Sequence, residues 1–455
     1  MASVPASAAA PRDASFSAPS APPSGERLVT REGAGRHSAW LMVALLCLGQ
    51  MLNYFDRSVV GIAAKDIMRD LALSPATYGL LSSAFYALYG ISGVLVGLFL
   101  SQRVRPRYLL VIMFAIWAVT QVPIIVAPVF PVLLMCRATL GAAESPSIST
   151  SVAAAHEWFP ADRRSIPTAF VMVGPLLGSI IAPPILTSVM LAFGWKAGFL
   201  TCAFLSTAMF GALLVFGRDG PDSTVAKPNQ PNHARPAARM WRSPPAIAIT
   251  AVGFSAYWIT AFAVSWLFPL LELGLGYSRR QAGWMSSAIY LLAGMLLLGS
   301  SWLYDHRLRA GLTYRRAIVW PIIVSLAASA LAFLATIIAP GPEARLVLLA
   351  LAIGLAFPVT GAIPILVSAI APREQRNSML VTILSLTTLA GMIAPYATGL
   401  LVHQQGFDGF VPGIALCAIV LVTGFLTAVL TLHPDIAVAS IDRASPQQSS
   451  ESKGG

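Results

Sequence analysis

Four ionisable residues stand in stretches that are otherwise apolar. Asp56 and Arg57 are adjacent in NYFDR (53 to 57), and Arg137 and Glu144 open and nearly close RATLGAAES (137 to 145). Left unpaired in a bilayer, each would cost about 2.5–3.5 kcal/mol and the four on the order of 10 kcal/mol. They must therefore face a cavity or one another. Seven residues of helix bring Arg137 and Glu144 to within about 20° of one face, about 10 Å apart along the axis. Counting inward at about 1.5 Å per residue, Asp56 and Arg137 reach compatible depths from opposite sides, with Glu144 one or two turns deeper.

The chemistry these types offer is specific. Guanidinium is a planar fork that matches a carboxylate, so two buried arginines suit an organic anion. Two carboxylates in a low-dielectric cavity suit proton carriage, because an acid beside an arginine senses whether a substrate occupies that arginine. Tyr54 and Tyr89 add hydroxyl donors, with membrane-interface anchoring as their plainer role. The purely architectural alternative pairs Asp56 with Arg137, or Glu144 with Arg57, as pins between helices. Glu272, near the outer end of the seventh span, is the other acid among the spans.

Composition sets the environment for these residues. Of 455 residues 56% are hydrophobic and 11% charged, against about 45–50% and about 25% in ordinary globular domains. Apolar runs of about 20 residues recur, each long enough for a hydrocarbon slab of about 30 Å, and backbone satisfaction in lipid makes them helices. The fold class is an all-α membrane protein. The net charge of +11 is spread over short loops without interleaved aromatics, which marks topology and not nucleic-acid binding. Cys47, Cys136, Cys202 and Cys417 fall singly in different runs, so neither a disulfide framework nor a metal site is expected, and no cofactor is implied.

Twelve spans are expected, near 39–62, 77–100, 108–127, 130–155, 165–191, 197–216, 245–273, 279–303, 315–338, 345–370, 378–402 and 411–432. With both ends cytoplasmic, 22 of the 30 Lys and Arg residues lie inside, six outside and two within spans, as the positive-inside rule requires. The domain plan is a disordered tail (1–37), a six-helix bundle (38–216), a linker (217–243), a second six-helix bundle (244–433) and a second tail (434–455). Pro160-Ala-Asp-Arg-Arg and Pro372-Arg-Glu-Gln-Arg share the pattern P-x-[DE]-x-R. Ile181-Ala-Pro183 and Ile393-Ala-Pro395 follow them at one common offset, a sign of duplication. Paired six-helix repeats place a substrate path between bundles and imply alternating access.

NYFDR, RATLGAAES, EWFPADRRS after the fourth span, IAPP and FGW around the fifth, and SWLFPLL in the seventh together resemble the anion:cation symporter family of the major facilitator superfamily. The likeness covers roughly residues 40 to 435 and is most specific over 137 to 199, where it is similar to hexuronate and sugar-acid transporters of bacterial inner membranes. It implies the major facilitator fold and proton-coupled uptake of a small organic anion by a monomer lying in membrane lipid. It further implies that Asp56 and Glu144 handle protons and that Arg57, Tyr89 and Arg137 bind the anion.

Other positions depart from that pattern. Sugar-acid members place amides in the fifth and eleventh spans, where this chain reads VGPLLG (173 to 178) and TILSLTTLAG (382 to 391), which favours smaller or more apolar carboxylates, aromatic acids included. Tyr257, Trp258, Trp266, Tyr290, Thr360, Ser385 and Thr388 are the contacts available from the second half, with core packing as the alternative for most. The usual Asp after the second span is Ser101, although its counterpart Asp305 is present. Gly174-Pro-Leu-Leu-Gly178 resembles the GPxxG motif of drug:proton antiporters, which two buried arginines disfavour for cationic drugs. His156-Glu157 begins a HExxH motif that lacks its second His, and no P-loop or GxSxG appears, so an enzyme is not expected.

Overall fold

A computed structural model describes residues 26–100, 103–221, 243–371, 376–402 and 406–433. Ser101, the second P-x-[DE]-x-R element, most of the linker and the C-terminal tail lie outside the described residues. The described chain is helical throughout: α1 (Glu26–Ile62), α2 (Ala64–Asp70), α3 (Pro75–Ala87), α4 (Tyr89–Leu95), α5 (Pro106–Val126), α6 (Phe130–Glu144), α7 (Ser147–His156), α8 (Ser165–Phe193) and α9 (Trp195–Val215), then α10 (Pro244–Phe262), α11 (Arg279–Arg309), α12 (Trp320–Ile338), α13 (Gly341–Ile370), α14 (Arg376–Leu401) and α15 (Phe407–Thr431).

Ten of the expected spans are single helices long and apolar enough to cross a membrane, the first running from His37 to Ile62. The second and fourth expected spans are interrupted. In the second, Leu88 separates α3 from α4, and a π turn (Val96–Leu100) follows. In the fourth, Pro146 has no N–H to continue the ladder. Helix α6 therefore stops at Glu144 and α7 starts at Ser147, while the Pro146 carbonyl accepts from Thr150 N and the Ser149 and Thr150 hydroxyls. A hydropathy average passes over both breaks.

Small residues let the helices approach to backbone contact. A Cβ on Gly61 would lie 2.4 Å from the Val264 carbonyl oxygen, and one on Gly79 would lie 2.5 Å from that of Pro395. Helix α3 lies along α14 and α8 along α11, so Pro183 and Pro395, the two copies of the repeated Ile-Ala-Pro, sit at corresponding crossings. Gly174 and Gly178 do the same for α8 on α1, each of their Cβ positions falling 2.4 Å from a carbonyl oxygen, Cys47 and Met51 respectively. Close packing thus accounts for both glycines of the GPxxG stretch.

At one end of the molecule α2 is tied to the start of α11. Arg279 Nη1 lies 2.6 Å from Asp66 Oδ2, Lys65 Nζ 3.2 Å from Glu272 Oε1, and Arg69 Nη2 3.3 Å from Asp66 Oδ1. Arg69 and then the Trp195 indole, donating at 2.8 Å, hold the Asp70 carboxyl below its usual range.

Candidate functional site

Asp56 and Arg57 lie on α1 a little over one turn before the Gly61 crossing, and successive positions on a helix point about 100° apart. The two side chains consequently enter different surroundings. Arg57 is 6% exposed and reaches α6 and α4: its Nε donates to Glu144 Oε2 at 3.0 Å and its Nη2 to the Tyr89 hydroxyl at 2.9 Å. The rings of Tyr54, Phe85 and Tyr89 stand 5.1, 5.3 and 5.1 Å from its guanidinium carbon, a cation–π enclosure in a desolvated site. Glu144 is fully buried, and its Oε1 has no hydrogen-bond partner among the described residues.

Asp56 points toward α5, where Gln121 Nε2 donates to its Oδ1 at 2.8 Å. Cys202 and Ser206 of α9 lie beside the same carboxylate. Arg137 does not take that carboxylate: its Nη1 donates to the Asp56 backbone carbonyl at 2.9 Å, and its guanidinium stands 4.8 Å from the Phe85 ring. Of the two pins expected from sequence, Arg57 with Glu144 forms and Asp56 with Arg137 forms only through the backbone. Gln121, an amide within an otherwise apolar span, is the partner that sequence reasoning leaves out, and its polarity at that depth is the available signal. Gln50, bonded to Ser151 at 2.9 Å, is a second such amide.

A cavity of about 10 Å3, space for about one water, lies against this cluster, lined by Arg57, Arg137, Ser82, Phe85 and Tyr86 among others. The second-half residues divide into two groups. Tyr257 meets Tyr86 edge-on at 6.1 Å, and Tyr290 lines a neighbouring cavity with Ser58 and Ser286. Thr388 donates to the Ser385 carbonyl at 2.8 Å on the face of α14 that approaches Gly90. Trp258 packs beside Phe254, and Trp266 donates to the Pro395 carbonyl at 2.9 Å while stacking edge-on with Tyr78. Thr360 bonds back to Phe357. Those three are packing residues in this arrangement. Glu272 belongs to the ion cluster on α2, and His156 is bonded to Thr168 at 2.8 Å. Among the described residues no three His, Cys, Asp or Glu side chains converge as a metal site would require.

The model of the Major Facilitator Superfamily matches residues 46–364. The chain belongs to the major facilitator superfamily. Its curated relatives include the hexuronate transporter of Bacillus subtilis (strain 168), 26% identical over 406 residues, with 86% of this chain and 95% of that protein covered. The hexuronate transporter of Escherichia coli (strain K12) is 33% identical over 178 residues, 39% of this chain and 41% of that protein. Among solved structures, the inward-facing, unoccupied bacterial homologue of the human lysosomal transporter Spinster shares the fold at a TM-score of 0.75 and 16% identity, covering 88% of this chain and 98% of that one. The chain is a transporter of this superfamily and not an enzyme.

Proposed function

We propose that this transporter is a proton-coupled symporter for the uptake of a small organic anion, a sugar acid or another small carboxylate, across a bacterial inner membrane. It works as a monomer by alternating access between two six-helix bundles, twelve crossings in all, with both termini cytoplasmic. The 22-to-6 division of basic residues supports that orientation, and the names of the curated relatives support the substrate class.

The observation that carries the reading is the sharing of Arg57 between Glu144 and Tyr89. With Glu144 ionised, its charge and that of Arg57 cancel in a dry site. An anion arriving alone would leave a net negative charge there, which low dielectric penalises. A proton on Glu144 frees the guanidinium, and the substrate carboxylate then restores neutrality on the same fork. Asp56 and Arg137 balance each other in both states. The empty form and the form holding both proton and anion are therefore the two neutral ones, and these are the forms able to change access. Coupling follows from charge balance at one arginine.

The test is proton flux into proteoliposomes holding the full chain as sugar acids, hydroxy acids, dicarboxylates and aromatic acids are added in turn. Inward flux with one acid class is expected. Flux with lipophilic cations and none with acids would replace symport with antiport.

A further inference from the structure

The second span (α3 and α4) and α11 carry one pattern at a constant spacing. Gly79, Ser82, Ser83, Tyr86 and Gly90 correspond to Gly283, Ser286, Ser287, Tyr290 and Gly294, and the N-caps Ser74 and Ser278 keep the same register. The outward-facing members do equivalent work. Ser83 Oγ accepts from Tyr396 N at 3.1 Å on α14, and Ser287 Oγ donates to the Ile180 carbonyl at 2.6 Å on α8.

The inward-facing members line two cavities of about 10 Å3 each, and Gly61 and Val264 form part of the wall of both. The Ser82 and Tyr86 cavity holds Arg57 and Arg137. Its twin, with Ser58, Ser286 and Tyr290, has no arginine, lysine or carboxylate in its lining. Ser286 is 2% exposed and its Oγ has no hydrogen-bond partner among the described residues. A buried hydroxyl left unmet is costly, and here it lines the neutral cavity. The charged and neutral cavities thus share the walls of one helix crossing, Gly61 and Val264.

We propose that Ser58, Ser286 and Tyr290 form a second subsite, which takes hydroxyl groups of the substrate while the arginine cavity takes its carboxylate. This rests on the organic-anion reading above and narrows it to polyhydroxylated acids. It also supplies, from α11, hydroxyl contacts where the fifth and eleventh spans carry no amide.

The experiment is counterflow of labelled D-galacturonate in proteoliposomes with wild type, Ser286→Ala and Tyr290→Phe, with hexanoate as a competing carboxylate that has no hydroxyls. Loss of one hydrogen bond is expected to raise the galacturonate KM about three- to tenfold in each variant, while inhibition by hexanoate shifts less than about twofold because its carboxylate contacts are intact. Equal shifts for both ligands, or none for galacturonate, would overturn the subsite. Wild type that carries unhydroxylated acids but not galacturonate would also overturn it and leave anion transport standing. Wild type that carries no organic anion would remove both.

Discussion

Arg57 and Glu144, 87 residues apart in the chain, meet at 3.0 Å with the glutamate fully buried. The Tyr89 hydroxyl and the rings of Tyr54, Phe85 and Tyr89 hold the guanidinium fork in place, and in the proposed function that fork receives the substrate carboxylate. In the proposed cycle this one cation serves two anions in turn.

Replacing Glu144 by Gln removes the titrating competitor and leaves an oxygen for the Arg57 Nε bond. Exchange of labelled anion across the membrane should survive, whereas accumulation driven by a pH gradient should fall at least about tenfold. Uptake assays with and without an imposed gradient separate the two, and wild-type accumulation in Glu144→Gln would place the coupling proton elsewhere, with Asp56 next.

Arg57→Lys keeps the charge but loses the fork that reaches Glu144 and Tyr89 together. Anion affinity should weaken by about one to two orders of magnitude, since lysine binds as a point charge. Calorimetric titration in detergent reads this directly. An unchanged Kd would move the carboxylate to Arg137.

Much of this site is legible in the sequence because charge in an apolar span is rare and must be paired. Asp56, Arg57, Arg137 and Glu144 stand out for that reason alone. Their pairing is not legible: whether Arg137 finds the carboxylate or the backbone carbonyl of Asp56 depends on side-chain directions that helix counting resolves only to a turn. Gln121 is hidden for the same reason, being polar without being charged. The breaks at Leu88 and Pro146 vanish in an average over twenty residues. The ion cluster joins Asp66 to Arg279 across 213 residues, a distance over which loop charges carry no visible relation. Trp266 reads as a cavity aromatic until its indole is seen to be committed to Pro395.

Removing Arg279 leaves Asp66 and Glu272 without their shared cation and weakens the tie between α2 and α11. A partly buried ion pair of this kind is worth about 1–3 kcal/mol, so Arg279→Ala should favour opening at this end by roughly tenfold. Labelling of a cysteine placed at Ser82, in a cysteine-free background and by a maleimide added from that side, reports the opening. No change in labelling rate would show that the cluster does not hold this end shut.

Trp195→Phe tests the acid sensitivity of the same end. Asp70 is held below its usual carboxyl range by Arg69 and then by Trp195. A depressed folded pKa adds stability that is present above the unfolded value of about 3.9 and disappears as pH falls through the lower, folded value. With the indole donor gone the difference shrinks, so the melting temperature of Trp195→Phe should fall less steeply than wild type below about pH 4. Superimposable pH profiles would mean that Arg69 alone sets the Asp70 shift.

Gly61 is where α1 touches the π turn (Ala263–Leu267) that continues α10, and it borders both the charged and the neutral cavity. A valine there would press its Cβ to within 2.4 Å of the Val264 carbonyl oxygen, a backbone atom that cannot swing aside. The two segments must then stay apart, so the close approach described here becomes inaccessible while each helix remains free to form. Gly61→Val should be recovered as a monodisperse, folded protein whose anion binding persists and whose counterflow drops by more than about tenfold, since a cycle with one state removed binds but does not turn over. Counterflow at the wild-type rate would show that α1 and α10 need not approach this closely at any point in transport.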